Sequence, residues 1–239
     1  MIRARGVTKS FFGETVLHPL DVDVPRGQIL GLVGPGGVGK TLLLKMLCGL
    51  IRPDEGTVEI EEVDLNRLRG LKLAEMRKRF GVLFQNYALF DFMTVWENVA
   101  FPLIRADVCD EKTARARAVE LLTHLGLQGS EALMPNQLSG GMKKRVSLAR
   151  ATIARPEILL CDDPTAGLDP VTSSKIFIML KRVQQESGAT TVVVTHDIDR
   201  LVQICDHYVM LYEGRVIFTG DHEQAMASEH PAVQKFFRG

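Results

Sequence analysis

Gly34-Pro35-Gly36-Gly37-Val38-Gly39-Lys40-Thr41 fits the spacing GxxxxGK[ST], and those residue types in that order suit one kind of chemistry. Glycine admits a positive φ and lets main-chain N–H groups approach phosphate oxygens with no Cβ in the way. Lys40 adds a mobile charge for the β- and γ-phosphates, and Thr41 a hydroxyl for Mg²⁺. Such a loop needs a strand in front to aim it and a helix behind it whose electropositive N-terminus faces the anion. The apolar run Gln28 to Val33 reads as that strand, and Leu42 to Leu50, closed by Gly49, as that helix. The pattern implies binding of a nucleoside triphosphate. A glycine-rich strand-to-helix turn without a ligand is the plainer alternative.

Two further segments carry chemistry. Ile158-Leu159-Leu160-Cys161 delivers Asp162 and Asp163 to a strand end. Burial of that strand on both faces accounts for the apolar run, whereas two adjacent carboxylates at its tip suit a metal ion and a proton to be moved. Asp162 reads as the holder of Mg²⁺, directly or through water, and Asp163 as the group that polarises an attacking water, with a polar loop after a core strand as the alternative. Leu138-Ser139-Gly140-Gly141-Met142 then opens a helix running through Lys143, Lys144 and Arg145 to Arg155-Pro156. Serine and two glycines at a helix N-terminus make another anion site. One γ-phosphate needs only one cradle, so the second implies a second chain.

The elements around these segments alternate between strand and helix. Ile2 to Thr8 and Val16 to Val24 read as strands, and Pro53-Asp54-Glu55-Gly56 turns into a strand over Thr57 to Ile60. Gly81 to Phe84 is a further strand. Thr94 to Arg155 is mostly helical in pattern, with Asp110 to Leu125 ending at Gly126. Alternation resumes through Ile158 to Cys161, Pro170 to Glu186, Thr190 to Thr195, Ile198 to Ile204 and Tyr208 to Tyr212, as a largely parallel, doubly covered sheet requires. Gly214-Arg215 turns a terminal hairpin.

The 239 residues and 46% hydrophobic content suffice for one large α/β domain with a real core. Lys+Arg and Asp+Glu balance at 29 each, which leaves no net field for nucleic acid. Cys48, Cys109, Cys161 and Cys205 show no metal-ligand spacing and read as reduced thiols, which favours a cytosolic setting. No signal pattern opens the chain, and no stretch approaches about eighteen uncharged apolar residues. Work at a membrane would need another chain to span it. The basic stretch from Arg67 to Arg79 is balanced by Glu59, Glu61, Glu62 and Asp64 upstream, so a solvated face is favoured over a lipid-headgroup site.

Taken together, the glycine loop, the paired aspartates and the Leu138-Ser139-Gly140-Gly141 segment resemble the motifs of ATP-binding cassette (ABC) ATPases, over essentially the whole chain and in the family's order. That resemblance implies an α/β fold with a P-loop NTPase (RecA-like) core, an antiparallel β lobe and an inserted helical lobe. The whole of 1–239 would form one ABC ATPase domain, with core and β lobe over about 1–85 and 156–239 and the helical lobe over about 86–155. It implies that Phe12 stacks on adenine, with a core role for Phe11 or Phe12 as the alternative, and that Gln85 senses Mg²⁺ and water. Gly167-Leu168-Asp169-Pro170 matches the loop that communicates across a dimer, and His196 the residue contacting the γ-phosphate. Ser139, Gly140, Gly141 and Asp169 would reach the nucleotide of a second chain. The implied ligands are ATP and Mg²⁺, and the implied assembly is a homodimer on integral membrane permease subunits, peripheral on the cytoplasmic face of the inner membrane.

Within that family, Met142, the segment Leu133 to Gln137, the run Phe84 to Phe90 and the ending His230 to Phe237 are similar to the ATPases of Mla/Mce phospholipid-transport systems. That likeness adds MCE-like substrate-binding and accessory subunits as candidate partners, and transport between inner and outer membranes as the expected task. The same ATPase serving a small-solute importer is the alternative, and a soluble ABC protein acting on nucleic acid is disfavoured by the neutral charge. Tyr87, Phe90, Phe92 and Trp96 concentrate aromatic surface that suits either a permease or the core. Two positions depart from the family pattern: Tyr87 stands where a small glycine is usual, and Asp163 where a glutamate is. A misplacement of about 1 Å can cost on the order of a hundredfold in rate, so Asp163 predicts either competent but slow hydrolysis or an ATP-gated clamp.

Overall fold

The computed structural model describes residues 1–238, which form two compact units: one of residues 1–77 with the chain from Thr190 onward, the other of residues 78–189. The first unit opens with β1 (Ile2–Phe11), β2 (Glu14–Val24), β3 (Ile29–Val33), α1 (Lys40–Leu47), β4 (Glu55–Ile60), β5 (Val63–Asp64) and α2 (Gly70–Lys78). The second holds β6 (Phe80–Leu83), α3 (Val95–Arg105), α4 (Glu111–His124), α5 (Gly140–Thr152), β7 (Ile158–Asp162) and α6 (Pro170–Ser187). The chain then returns to the first unit with β8 (Thr190–Val194), α7 (Ile198–Leu201), β9 (His207–Tyr212), β10 (Arg215–Gly220), α8 (His222–Ala227) and α9 (Pro231–Arg238).

In the first unit, β2, β1, β4 and β5 form an antiparallel sheet. Its register sets Ile2 opposite both Val24 and Ile60, and bulges interrupt β1 after Ala4. A second sheet places β3 between β8 and β9, parallel to both, with β10 closing an antiparallel hairpin on β9. Every residue of β3 and β8 is buried, which is why both read as unbroken apolar or threonine-rich runs. Gly31 in β3 is there for space: a Cβ would meet Leu201 Cδ2 at 2.8 Å and Tyr208 Cδ1 at 2.9 Å. Helix α1 closes as its sequence predicts, with Gly49 at φ +67° and its N–H on the Met46 carbonyl at 3.0 Å.

The structure also departs from the sequence-level reading. Helix α5 stops at Thr152, short of Arg155-Pro156, because Arg155 turns to φ +50° and the following proline cannot continue a helix. The segment predicted helical over Ile198 to Ile204 is regular only to Leu201. Helix α2 buries no residue, so it leaves no apolar stripe to read. The basic side chains near it bond to local acceptors, Arg67 to Asp64 and Arg77 to the Gly49 carbonyl. Among the described residues, no helix is long and apolar enough to cross a membrane.

In the second unit, β6 and β7 pair in parallel. The connection from β6 to the helices is organised by Asn98, which is fully buried in α3. Its Oδ1 accepts from the Phe90 N–H at 2.8 Å, and its Nδ2 donates to the carbonyls of Phe90, Met93 and Thr94 at 3.0 to 3.1 Å. One amide thus folds the Phe90–Thr94 turn onto the helix. The helix start is fixed by Glu97, whose carboxylate accepts from the Thr94 hydroxyl and N–H and is held below its ordinary pKa by those bonds. Replacing Asn98 by alanine leaves buried main-chain groups without their partner, and is expected to destabilise the protein by about 2–3 kcal/mol. Urea unfolding of Asn98→Ala, with its midpoint compared with wild type, checks this.

Candidate active site

The loop after β3 is built by left-handed backbone. Gly34, Gly37 and Gly39 have φ of +135°, +79° and +97°. At Gly34 a Cβ would lie 2.0 Å from the Leu211 carbonyl oxygen, and at Gly39 2.5 Å from Leu17 Cδ2, whereas Gly36 and Gly37 face open space. The outer glycines are thus required by packing and the inner two leave main-chain N–H groups accessible. Helix α1 starts directly behind, with Gly39 as a cap that supplies no side-chain bond and no acidic residue in the first turn. No side chain of the cap or acid of the first turn offsets the dipole there, which favours an anion. A cavity of about 420 Å³ lies there, lined by Phe11, Val16, Gly37, Gly39, Lys40, Thr41 and Ile51 among others. Lys40 Nζ folds back onto the carbonyls of Gly34 and Pro35 at 2.7 and 2.6 Å.

Two aromatics stand near this cavity in different ways. Phe11 lines it, and Lys9 Nζ lies 5.6 Å from the Phe11 ring centroid. Phe12 is fully exposed at the turn that follows, at φ +53°. His196 is exposed just past β8, where Thr195 Oγ1 accepts from the Asp197 N–H at 3.1 Å.

In the second unit, β7 is wholly buried and ends on Asp162, itself 4% exposed. Asp163 follows at φ +44°. Ser139 caps α5, its hydroxyl accepting from the Met142 N–H at 3.3 Å. A Cβ at Gly140 would meet the Tyr87 hydroxyl at 3.3 Å, and one at Gly141 the Thr172 methyl at 3.0 Å. The two glycines therefore also permit close packing at the start of the helix. Asp169 caps α6, and the bonds it accepts from Thr172 and Val171 hold its carboxylate below the ordinary range. Cys161 is inert: burial pushes its thiol up to about 12.

Lys144 is a residue that sequence reasoning passed over as part of a basic run. It is fully buried, and Nζ donates to the main-chain carbonyls of Gln85 at 2.7 Å and Asp163 at 3.0 Å. Burial lowers its pKa while the charges of Asp163 and Asp162 oppose that shift. A signal was available in the spacing, because Lys144, Ser147, Leu148 and Ala151 form one buried stripe at helical period.

The sequence profile of the ABC transporter family matches residues 17–166, from the strand below the glycine loop to the residues past Asp163. The chain belongs to the ABC transporter family. Its fold is accordingly that of an ABC cassette, and it is an ATP-binding ATPase subunit of that family. It is 37% identical over 238 residues to the probable ribonucleotide transport ATP-binding protein mkl of Mycobacterium leprae, covering all of this chain and 69% of that one. It is 35% identical over 239 residues to the intermembrane phospholipid transport system ATP-binding protein MlaF of Haemophilus influenzae, covering all of this chain and 90% of that one. Among solved structures, the dimeric ABC transporter cassette MJ0796 superposes with a TM-score of 0.86 at 35% identity, over 92% of this chain and 98% of that one. A dimer of MJ0796 in a post-hydrolysis state, bound to ADP and Pi, matches equally well at a TM-score of 0.86. Against the mkl proteins the chain spans about two-thirds of their length.

Because Phe12 is fully exposed, its removal costs no core packing, so its expected stacking on a base can be tested apart from stability. Phe12→Ala is expected to leave the melting temperature unchanged and to weaken binding of an ATP analogue by about twofold to tenfold, the value of one aromatic stack. Titration with a fluorescent ATP analogue, beside a thermal melt and the same pair of measurements on Phe11→Ala, decides which aromatic is the platform.

Proposed function

We propose that this chain hydrolyses ATP to drive phospholipid transport between the membranes of a diderm bacterium, as the cytoplasmic subunit of an Mla/Mce-type transporter. The observation that supports the reading is the match to the intermembrane phospholipid transport ATP-binding protein MlaF, 35% identical over 239 residues. The chain would work as a single cassette, with a core and β lobe over about 1–85 and 156–239 and a helical lobe over about 86–155. It would act as a homodimer on the cytoplasmic face of the inner membrane. Its partners would be integral permease subunits, together with MCE-like and accessory subunits.

In this reading the backbone from Gly34 to Gly39, including Pro35 and Val38, wraps the β- and γ-phosphates, and Lys40 exchanges its loop carbonyls for phosphate oxygens. Phe12 stacks on the base. The open N–H groups at Gly36 and Gly37 and the uncapped α1 terminus suit a polyanion. Thr41, Asp162 and Gln85 would hold Mg²⁺, whose contribution is to neutralise charge on the phosphates. Asp163 orients the attacking water and His196 meets the γ-phosphate. Ser139, Gly140, Gly141 and Asp169 act on the partner's nucleotide.

The second reading, an ATPase for a small-solute transporter, draws on the mkl match at 37% identity. Both readings require Lys40. Loss of transport in Lys40→Ala with altered outer-membrane phospholipid composition supports the lipid reading, and unchanged lipids with failed uptake of a small solute supports the other. For the chemistry, Asp163→Asn is expected to lower ATP turnover by a hundredfold or more, on the order of what a lost catalytic contact costs. Steady-state turnover with Mg²⁺, for wild type, Asp163→Asn and Asp163→Glu with the permease co-purified, checks it. A silent wild type activated by Asp163→Glu would mean that ATP acts here as a clamp.

A further inference from the structure

One face of α5 grips main-chain carbonyls. Lys144 Nζ donates to Gln85 O, Ser147 Oγ to Tyr87 O at 2.9 Å, and Arg150 to Tyr87 O at 2.8 Å and Ala88 O at 2.6 Å. The gripped segment is unusual, since Tyr87 and Ala88 are consecutive non-glycine residues at φ +61° and +50°. Such backbone persists where surrounding contacts over-determine it, and here Ser147 and Arg150 of α5 add theirs to the segment's own turn bonds from Tyr87 to Phe84 and from Ala88 to Asn86. Of these three side chains, Lys144 is the one that also donates to a second loop. Its other bond goes to the carbonyl of Asp163, a further non-glycine residue with left-handed φ. The Tyr87 ring covers the same ammonium, its centroid 5.1 Å away.

An ammonium has three donors, and this one ties two loops and an aromatic ring to the helix that begins at Ser139. We propose that Lys144 is a positioning residue for hydrolysis: it sets the backbone of Asp163 and of Gln85 against α5, so that a displacement of that helix reaches both loops at once. The proposal rests on the reading of Asp163 as the carboxylate that orients water. That carboxylate is one methylene shorter than the glutamate usual in the family. Its reach therefore depends on where its backbone is held, and the Asp163 carbonyl accepts from Lys144 at 3.0 Å as well as from the Ala166 N–H of its own turn at 3.2 Å, so that Lys144 is the bond tying that turn to α5.

Lys144→Met keeps the length and apolar stem but removes every donor. Lys144→Gln keeps an N–H donor on a shorter arm. Each is compared with wild type in the full chain with its co-purified permease, by kcat, KM for ATP, affinity for an ATP analogue and melting temperature. Lys144→Met is expected to lower kcat by about a hundredfold, the cost of misplacing a reacting group by about 1 Å, with KM and nucleotide affinity within twofold. Lys144→Gln is expected to recover about tenfold of that loss. A kcat in Lys144→Met within threefold of wild type overturns the proposal. So does a fall in nucleotide affinity that parallels kcat, which is what general loosening would produce. If Lys144→Met does not fold, Lys144→Gln decides by the same split between kcat and KM. Turnover that survives in Asp163→Asn would instead remove the underlying reading of Asp163, and so separates the two failures.

Discussion

A polyanion can be held by main-chain N–H groups only where no side chain shields them, and the first unit is arranged around that requirement. The loop at Gly34 runs so close to β9 that a Cβ would sit 2.0 Å from the Leu211 carbonyl, and at Gly39 so close to β2 that one would sit 2.5 Å from Leu17. The strands therefore press the loop into its left-handed shape from outside. The inner glycines, free of such contacts, can offer their N–H groups. Because β3 is buried on both faces between β8 and β9, the loop is mounted on a rigid support and not on a flexible connection. Lys40, bonded to the loop's own carbonyls, keeps its charge stationed at the cavity.

The second unit solves a different problem by the opposite means. Its loops carry few glycines where the backbone is most strained, and they are held by side chains that donate to carbonyls. Lys144, Ser147 and Arg150 do this from α5, and Asn98 does it from α3. Donors aimed at carbonyls keep a buried loop satisfied without requiring it to enter a sheet. They also make its conformation conditional on the position of the helix. A glycine loop pressed between buried strands keeps one shape, whereas a loop held by a helix can report where that helix is.

That contrast explains which parts of the molecule were legible in the sequence. The glycine loop, the Asp162-Asp163 strand end and the helix ends at Gly49 and Gly126 depend on local residue type and spacing, so they were readable. The carbonyl grip of α5 depends on residues about 60 positions apart, and Lys144 looks like its neighbours Lys143 and Arg145 until the helix is packed. Helix α2 was invisible because it buries nothing, and burial is what imprints a helical period. At Phe11 and Phe12 the sequence showed an aromatic before a glycine but not its register. The turn points one ring at the cavity and leaves the other exposed.

The shorter carboxylate at position 163 and the left-handed backbone beneath it are best understood together. A side chain's reach is the sum of its bonds and the placement of its Cα, and removing one methylene takes away about 1.5 Å. If Asp163 orients water, the backbone must supply what the side chain lacks. A left-handed φ redirects the Cα–Cβ bond relative to the strand that delivers it. Aspartate tolerates that conformation better than glutamate, because its short polar side chain can bond locally. Residue type and strain thus fit one another: this backbone suits a short polar side chain and would strain a longer one. A bond from a buried ammonium to the same residue's carbonyl is what such a pairing needs to remain rigid.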